Sequence, residues 1–112
     1  MRPISASVAA NLRDMLRGVL APGGTASEAA IPGYDLAGKT GTANKIAPAT
    51  HQYSSVNYVA SFMGFVPASR PQLLVAVMVD QPQGAIYGGA VAAPAFQKIV
   101  GWAVPYLGIS PR

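Results

Sequence analysis

The chain has 112 residues and no cysteine, so it allows one domain with a single small core and excludes disulfides and thiolate metal sites. Apolar residues make up 51% of the chain and charged residues only 11%, a balance more typical of a piece of a larger domain than of a domain wetted on all sides. The net charge of +4 is spread along the chain and does not form basic patches beside aromatic residues, which argues against a nucleic-acid partner.

An amphipathic helix is predicted near the N-terminus. Ser5 or Ser7 can cap it, and apolar residues recur at helical spacing at positions 8, 12, 15, 16 and 19. The Pro-Gly-Gly sequence at 22–24 ends this helix. The following stretch is rich in Gly, Ala and Ser, which predicts a surface connection with a short helical turn near residues 27–30.

Three strands are predicted next, at 35–43, 56–66 and 72–80. The last two contain nearly continuous apolar runs, which are typical of strands covered on both faces. The segment between them is short enough only for a hairpin, so the two strands should pair antiparallel. After a loop at 81–89, Pro94 sits in the first turn of a final helix that ends near 105–108. The predicted fold class is α+β, with a three-stranded antiparallel sheet and an N-terminal and a C-terminal helix.

Four consecutive residues in the first predicted strand bring a lysine, two hydroxyls and a glycine together: Lys39, Thr40, Gly41 and Thr42. On a regular strand, Lys39 and Gly41 face one side while the two threonines face the other. The glycine lets a substrate lie against the backbone. We call residues 39–42 the strip. Taken alone, the four residues are better interpreted as a strand of small residues with a surface lysine, and only their neighbours in the sequence favour a functional interpretation.

With those neighbours, the strip resembles the lysine-threonine-glycine motif of penicillin-binding transpeptidases. The chain is similar to the closing segment of division-specific, class B penicillin-binding proteins in further places: Gly-Gly-Thr-Ala at 23–26, Pro-Gly-Tyr at 32–34, Gly-Phe-Val-Pro-Ala at 64–68, Tyr-Gly-Gly-Ala at 87–90 and Ala-Pro at 93–94. The resemblance covers almost the whole chain, yet in the family it corresponds to the last part of a longer, β-lactamase-like domain. We therefore expect residues 1–112 to be a C-terminal fragment of a transpeptidase domain.

The resemblance implies roles for the strip. The hydroxyls of Thr40 and Thr42 would hold a substrate carboxylate, with Gly41 allowing close approach. The backbone N–H of Thr42 would donate to the oxyanion, a contribution on the order of 10² to 10³ in rate. Lys39 would supply positive potential to the carboxylate and to the catalytic hydroxyl network. The Tyr87-Gly88-Gly89 segment would border the active-site groove, or it simply makes a turn.

The nucleophile motif of the family, Ser-x-x-Lys, is absent. None of the eight serines has a lysine three residues later. Ser55-Val56-Asn57 matches the middle Ser-x-Asn motif in letters, but it follows the strip, whereas the family's motif precedes it. We interpret it as a chance match. His51 stands in a polar loop without a second ligand nearby, and neither a metal nor a cofactor is implied.

The resemblance implies a parent enzyme that cross-links peptidoglycan. Its serine would attack the penultimate D-alanine of a stem peptide, release the terminal D-alanine and pass the acyl group to a neighbouring peptide's amine, and β-lactams would acylate the same serine. The parent would be anchored in the bacterial inner membrane, with this region on the periplasmic side. The chain itself shows neither a signal peptide nor an apolar run of the roughly 18 to 20 residues that a spanning helix needs.

Two alternatives stay open. The chain could be a non-catalytic binding or assembly fragment that retains substrate-recognition groups. Residues 33–40 also fit the phosphate-loop pattern G-x-x-x-x-G-K-[ST], but Pro32 precedes them and Gly41-Thr42-Ala43-Asn44 follows, where a nucleotide site needs a buried strand and a helix. The preceding part of the domain is an expected partner of the sheet. Without it, one face and one edge should be bare, and we expect self-association.

Overall fold

The computed structural model describes all 112 residues. In chain order the elements are α1 (Ala6–Gly18), a 3-10 turn (Ser27–Ala29), β1 (Ala37–Ile46), β2 (Tyr53–Val66), β3 (Leu73–Asp80), α2 (Gly88–Val91) and α3 (Ala93–Tyr106). The strands form one antiparallel sheet in the order β1-β2-β3. This confirms the predicted α+β class, with Ser5 as the cap of α1: its side chain accepts a hydrogen bond from the Val8 N–H.

The first two strands are longer than predicted. β1 continues to Ile46 and β2 begins at Tyr53, so the two strands project beyond the end of β3 as a two-stranded arm. The arm has an irregularity after Asn44, whose side-chain amide donates to the Ser54 carbonyl at 2.9 Å. The sequence of the arm is polar and has no strand pattern, so the extension was not predicted. The pairing there is supported by the Asn44–Ser54 contact and by the turn at the tip.

A second correction concerns the segment predicted as loop at 81–89. The loop ends at Tyr87, and a short helix begins at Gly88, with the N–H groups of Ala90 and Val91 both donating to the Tyr87 carbonyl. Paired glycines usually indicate a turn. Here the two glycines begin a helix. They are glycines because neighbouring backbone leaves no space for a side chain, as described below.

The core lies on one face of the sheet, between β2 and α3. Its largest fully buried side chains are Phe62, Val66, Phe96, Val100 and Val104. The rings of Phe62 and Phe96 meet edge to face, with centroids 4.7 Å apart. We call this side of the sheet the inner face.

The opposite side, the outer face, is uncovered. Met63, Leu74 and Met78 alternate with the buried positions and are 52%, 60% and 74% exposed. The apolar runs of β2 and β3 are therefore covered on one face only within this chain, where the sequence indicated two. β1 and β3 also lack strand partners on their outer edges. The uncovered surface agrees with the expectation that these helices would cover a single side.

Helix α1 buries none of its residues. Its apolar positions Val8, Leu12 and Met15 are exposed, although their spacing is that of a core-facing stripe. The helix is attached instead through its last turn, where Arg17 contacts the segment before β1. None of the helices combines the length and the apolar character needed to cross a membrane.

Candidate functional site

The strip lies on β1, at the edge of the sheet. Thr40 and Thr42 pair with Phe62 and Ala60 of β2, both buried, which places the two threonines on the inner face. Lys39 pairs with the exposed Met63, on the outer face. The alternation predicted from the sequence therefore holds along the strip.

The lysine nevertheless reaches the threonine side. Lys39 Nζ donates to the Thr40 carbonyl at 3.0 Å and lies 3.3 Å from Thr40 Oγ1. Its long side chain can fold around the edge of β1 because no strand pairs there. The positive charge of Lys39 thus lies beside a hydroxyl that points to the opposite face of the sheet.

Thr25 is a residue that the sequence interpretation did not single out. Its Oγ1 lies 3.3 Å from Thr40 Oγ1, and either hydroxyl can donate. The loop that carries it turns back on the end of α1, where the Ala26 N–H donates to the Val19 carbonyl at 3.0 Å. The available signal was a hydroxyl inside the Gly-Gly-Thr-Ala segment, but the contact spans 15 residues and depends on how the loop folds.

The Gly88-Gly89 pair holds the Thr25 loop and the strip together. The Gly88 N–H donates to Thr42 Oγ1 at 3.3 Å. A Cβ at Gly88 would overlap the Ser61 carbonyl oxygen, and one at Gly89 would overlap the Thr25 carbonyl oxygen. Both positions therefore require glycine, for close approach of backbones. Tyr87 precedes them, and its side chain is exposed.

Chemically, the site offers one ammonium group and hydroxyl groups in a continuous line. Lys39 Nζ, Thr40 Oγ1 and Thr25 Oγ1 are linked by successive contacts of 3.3 Å. No carboxylate lies among these contacts. Such a set of donors with a positive charge suits an anionic acceptor with two oxygens, such as a carboxylate.

Other candidates from the sequence do not join the site. Ser55 lies in the arm, where its carbonyl accepts from the Tyr58 hydroxyl at 3.1 Å. The phosphate-loop alternative is wrong in its geometry, because the residues after Lys39 continue as strand and no helix begins there. His51 lies in the loop of the arm with a positive φ of 56°. No group of three or more His, Cys, Asp or Glu side chains could hold a metal ion.

Comparison with known sequences gives a consistent result. The profile of the penicillin binding protein transpeptidase domain matches residues 1–101. The chain is 43% identical over 106 residues to the probable peptidoglycan D,D-transpeptidase PenA of Neisseria gonorrhoeae, and 40% identical over 106 residues to the peptidoglycan D,D-transpeptidase FtsI of Escherichia coli. Each alignment covers 94% of this chain and 18% of the relative, so the chain spans less than a fifth of either protein's length.

Solved structures share the fold. Penicillin binding protein 3 from Mycobacterium tuberculosis, complexed with ampicillin, is 36% identical with a TM-score of 0.85, over 96% of this chain and 26% of that one. The apo transpeptidase domain of Burkholderia pseudomallei penicillin-binding protein 3 is 41% identical with a TM-score of 0.86, over 100% of this chain and 34% of that one. In sequence and in fold, the chain belongs to the penicillin-binding protein transpeptidase family.

Proposed function

We propose that this chain supplies the substrate-binding strand of a peptidoglycan D,D-transpeptidase, and that residues 1–112 are the C-terminal part of the transpeptidase domain. The observation that carries the proposal is the line of donors formed by Lys39, Thr40 and Thr25. The family provides the reaction, and the site provides groups suited to one step of it, the recognition of a peptide carboxylate. The nucleophilic serine would come from the preceding part of the domain, because no serine here has a lysine one turn away.

Each residue of the strip has a role in this proposal. Thr40 and Thr42 hydroxyls donate to the terminal carboxylate of the stem peptide, and Lys39 attracts it electrostatically. Gly41 would lie against the substrate backbone, while the space of its missing side chain is taken by Ser61 Oγ of β2. Thr25 adds a third hydroxyl beside Thr40, and Tyr87, Gly88 and Gly89 border the groove on the side of Thr42.

The acyl transfer then proceeds in two steps. The serine oxygen bonds to the carbonyl carbon of the penultimate D-alanine, the Thr42 N–H stabilises the resulting oxyanion, and the terminal D-alanine leaves with a proton on its nitrogen. The amine of a neighbouring stem peptide attacks the ester, which forms the cross-link and returns the proton to the serine. A β-lactam acylates the same serine by opening of its ring. These steps need no cofactor.

The proposed parent acts in the division machinery, on the periplasmic side of the bacterial inner membrane. Within it, the preceding part of the domain would cover the outer face of the sheet and the apolar stripe of α1. Both surfaces are exposed in this chain and have the spacing of core-facing positions. For the free chain we propose self-association through the same surfaces.

The test uses a joined domain, in which this chain follows the preceding part of the Burkholderia pseudomallei transpeptidase domain. The joined domain and the isolated chain are incubated with a fluorescent penicillin and measured by intact mass. We expect one adduct on the joined domain, at a serine of the preceding part, and none on the isolated chain. An adduct on any serine of the isolated chain would overturn the proposed division of labour, and an unlabelled, folded joined domain would favour the alternative of a non-catalytic binding fragment.

A further inference from the structure

An ion pair connects the end of α1 to the start of the strip's strand. Arg17 Nε and Nη2 donate to Asp35 Oδ1 and Oδ2, each at 2.9 Å, which is a bidentate geometry. Asp35 is only 9% exposed. It also accepts the Ser69 N–H at Oδ2, 3.2 Å away, and its carbonyl accepts the Ala68 N–H at 2.7 Å. Asp35 thus joins α1, the β2–β3 turn and the entry to β1.

The electrostatics keep the pair charged near neutral pH. The hydrogen bond from Arg17 lowers the pKa of Asp35 below its ordinary value, against the opposing effect of burial. The same bond raises the pKa of Arg17. A buried carboxylate that lost its arginine would keep the cost of desolvation without its main partner, so the two side chains depend on each other.

Both hydroxyl-bearing segments of the site begin at this ion pair. From Arg17 the chain runs through the end of α1 into the loop that carries Thr25. From Asp35 it runs directly into β1, and Thr40 follows five residues later. β1 has a hydrogen-bonded neighbour strand on one edge only, and the Gly88-Gly89 pair also contacts both β1 and the Thr25 loop, so the ion pair acts together with that contact.

We propose that Arg17 and Asp35 are positioning residues, whose ion pair fixes the Thr25 hydroxyl beside the Thr40 hydroxyl and so sets the affinity for the substrate carboxylate. The inference rests on the proposed function of the site. It requires a specific kinetic pattern. The binding of β-lactam before acylation weakens, while the acylation rate constant changes little, because the Thr42 N–H belongs to the β1–β2 region of the sheet and not to the Thr25 loop.

The experiment compares two aspartates that contact the same arginine. Asp35→Asn removes the charge that anchors β1, whereas Asp14→Asn removes an exposed charge that pairs with Arg17 within α1. In the joined domain, stopped-flow acylation gives the dissociation constant and the rate constant separately. We expect Asp35→Asn to raise the dissociation constant about tenfold, the size of one lost charged hydrogen bond. Asp14→Asn should leave both constants within about twofold.

Two further variants separate positioning from simple loss of stability. Val104→Ala, in the core on α3, lowers stability without touching the ion pair or the site, and should leave both constants unchanged. Arg17→Lys keeps the charge but loses the planar, bidentate guanidinium, so it should weaken β-lactam binding nearly as much as Asp35→Asn does. If Asp35→Asn resembles Val104→Ala in kinetics, the pair only supports folding and the inference is wrong.

A coupling test keeps this inference distinct from the proposed function. Thr25→Val should weaken binding in the wild-type joined domain and add little in the Asp35→Asn background, since the hydroxyl is already displaced there. Equal effects in both backgrounds would contradict the positioning role alone. If Thr25→Val and Lys39→Ala both leave binding and acylation unchanged, the proposed function of the site fails instead.

Discussion

The two faces of the sheet carry similar side chains but differ in what covers them. On the inner face, Phe62 is fully buried against Phe96 of α3. On the outer face, the adjacent Met63 is half exposed, and Leu74 and Met78 on β3 are more exposed still. Hydrophobicity alone therefore does not tell which positions form the core of this chain. The inner face is covered by a helix of the same chain, and the outer face has no cover within this chain.

The largest expected effect is on the free energy of unfolding, compared between the adjacent residues Phe62 and Met63 on opposite faces of β2. Phe62→Ala should cost about 3 to 5 kcal/mol, because it removes a fully buried ring from the core, and such a loss is comparable with the whole stability of a marginal domain. Met63→Ala should cost less than about 1 kcal/mol in the isolated chain. Urea unfolding followed by circular dichroism measures both. Equal losses would show that the outer face is buried in solution.

The strip lies where the two faces meet, with Lys39 on the outer side and Thr40 on the inner side. In the joined domain, Lys39→Ala should slow acylation by a factor on the order of 10² or more if its charge acts at the reacting centre. Thr40→Val keeps the shape and removes a hydroxyl, so it should weaken recognition of the substrate carboxylate and leave folding nearly intact. Stopped-flow acylation with a β-lactam measures both, and unchanged kinetics in the two variants would leave the strip with a purely structural role.

Polar substitutions on the outer face should benefit the free chain, by reducing its association, and harm the joined domain, by lowering its stability. Replacing Met63 and Met78 with serine removes exposed apolar surface, so the isolated chain should associate less at tens of micromolar, where such surfaces ordinarily associate. The same double change in the joined domain should lower its melting temperature, because we propose that the preceding part of the domain covers these positions. Analytical ultracentrifugation and thermal unfolding provide the two readouts. A monomeric wild-type chain would show that our assignment of the uncovered face is wrong.

The smallest effect concerns pH. Because the pKa of Asp35 is lowered by Arg17 in the folded chain, the ion pair stabilises the fold above the unfolded pKa, which is near 3.8. This contribution is lost as the pH falls from about 4 through the lowered, folded pKa. Denaturant unfolding between pH 2 and pH 6 should therefore show a shallower acid dependence for Asp35→Asn than for Asp14→Asn. Identical slopes would mean that the ion pair does not form in solution.

The sequence predicted the type and order of the main elements, because their signals are local. A serine cap and helical spacing indicated α1, and continuous apolar runs indicated β2 and β3. The strip was also found locally, since its four residues are consecutive. The residues that contact or position the strip in the fold were not found from the sequence. Thr25 and the Arg17–Asp35 pair depend on contacts between residues 15 and 18 positions apart, through a loop whose course has no periodic pattern.

The remaining differences have steric and topological causes. The helix at Gly88 was missed because a glycine pair usually indicates a turn, and nothing local shows that carbonyl groups of Ser61 and Thr25 exclude side chains there. The outer face could not be distinguished from the inner face, because β3 lacks polar residues on either side before Asp80. A strand that is apolar on both faces has the same sequence pattern whether one face or both faces are covered within the chain.

The arm formed by the ends of β1 and β2 has a consequence for local opening. Beyond Tyr58, toward the tip, its backbone hydrogen bonds have no third strand beside them and no buried core beneath them except Ser54. Lys45 Nζ reaches Asp80 at 2.8 Å and marks the point where support from β3 ends. Amide hydrogens of the arm should therefore exchange through openings that leave the rest of the sheet closed. We therefore expect two cooperative units, a sheet with a packed helix and a hairpin that opens separately.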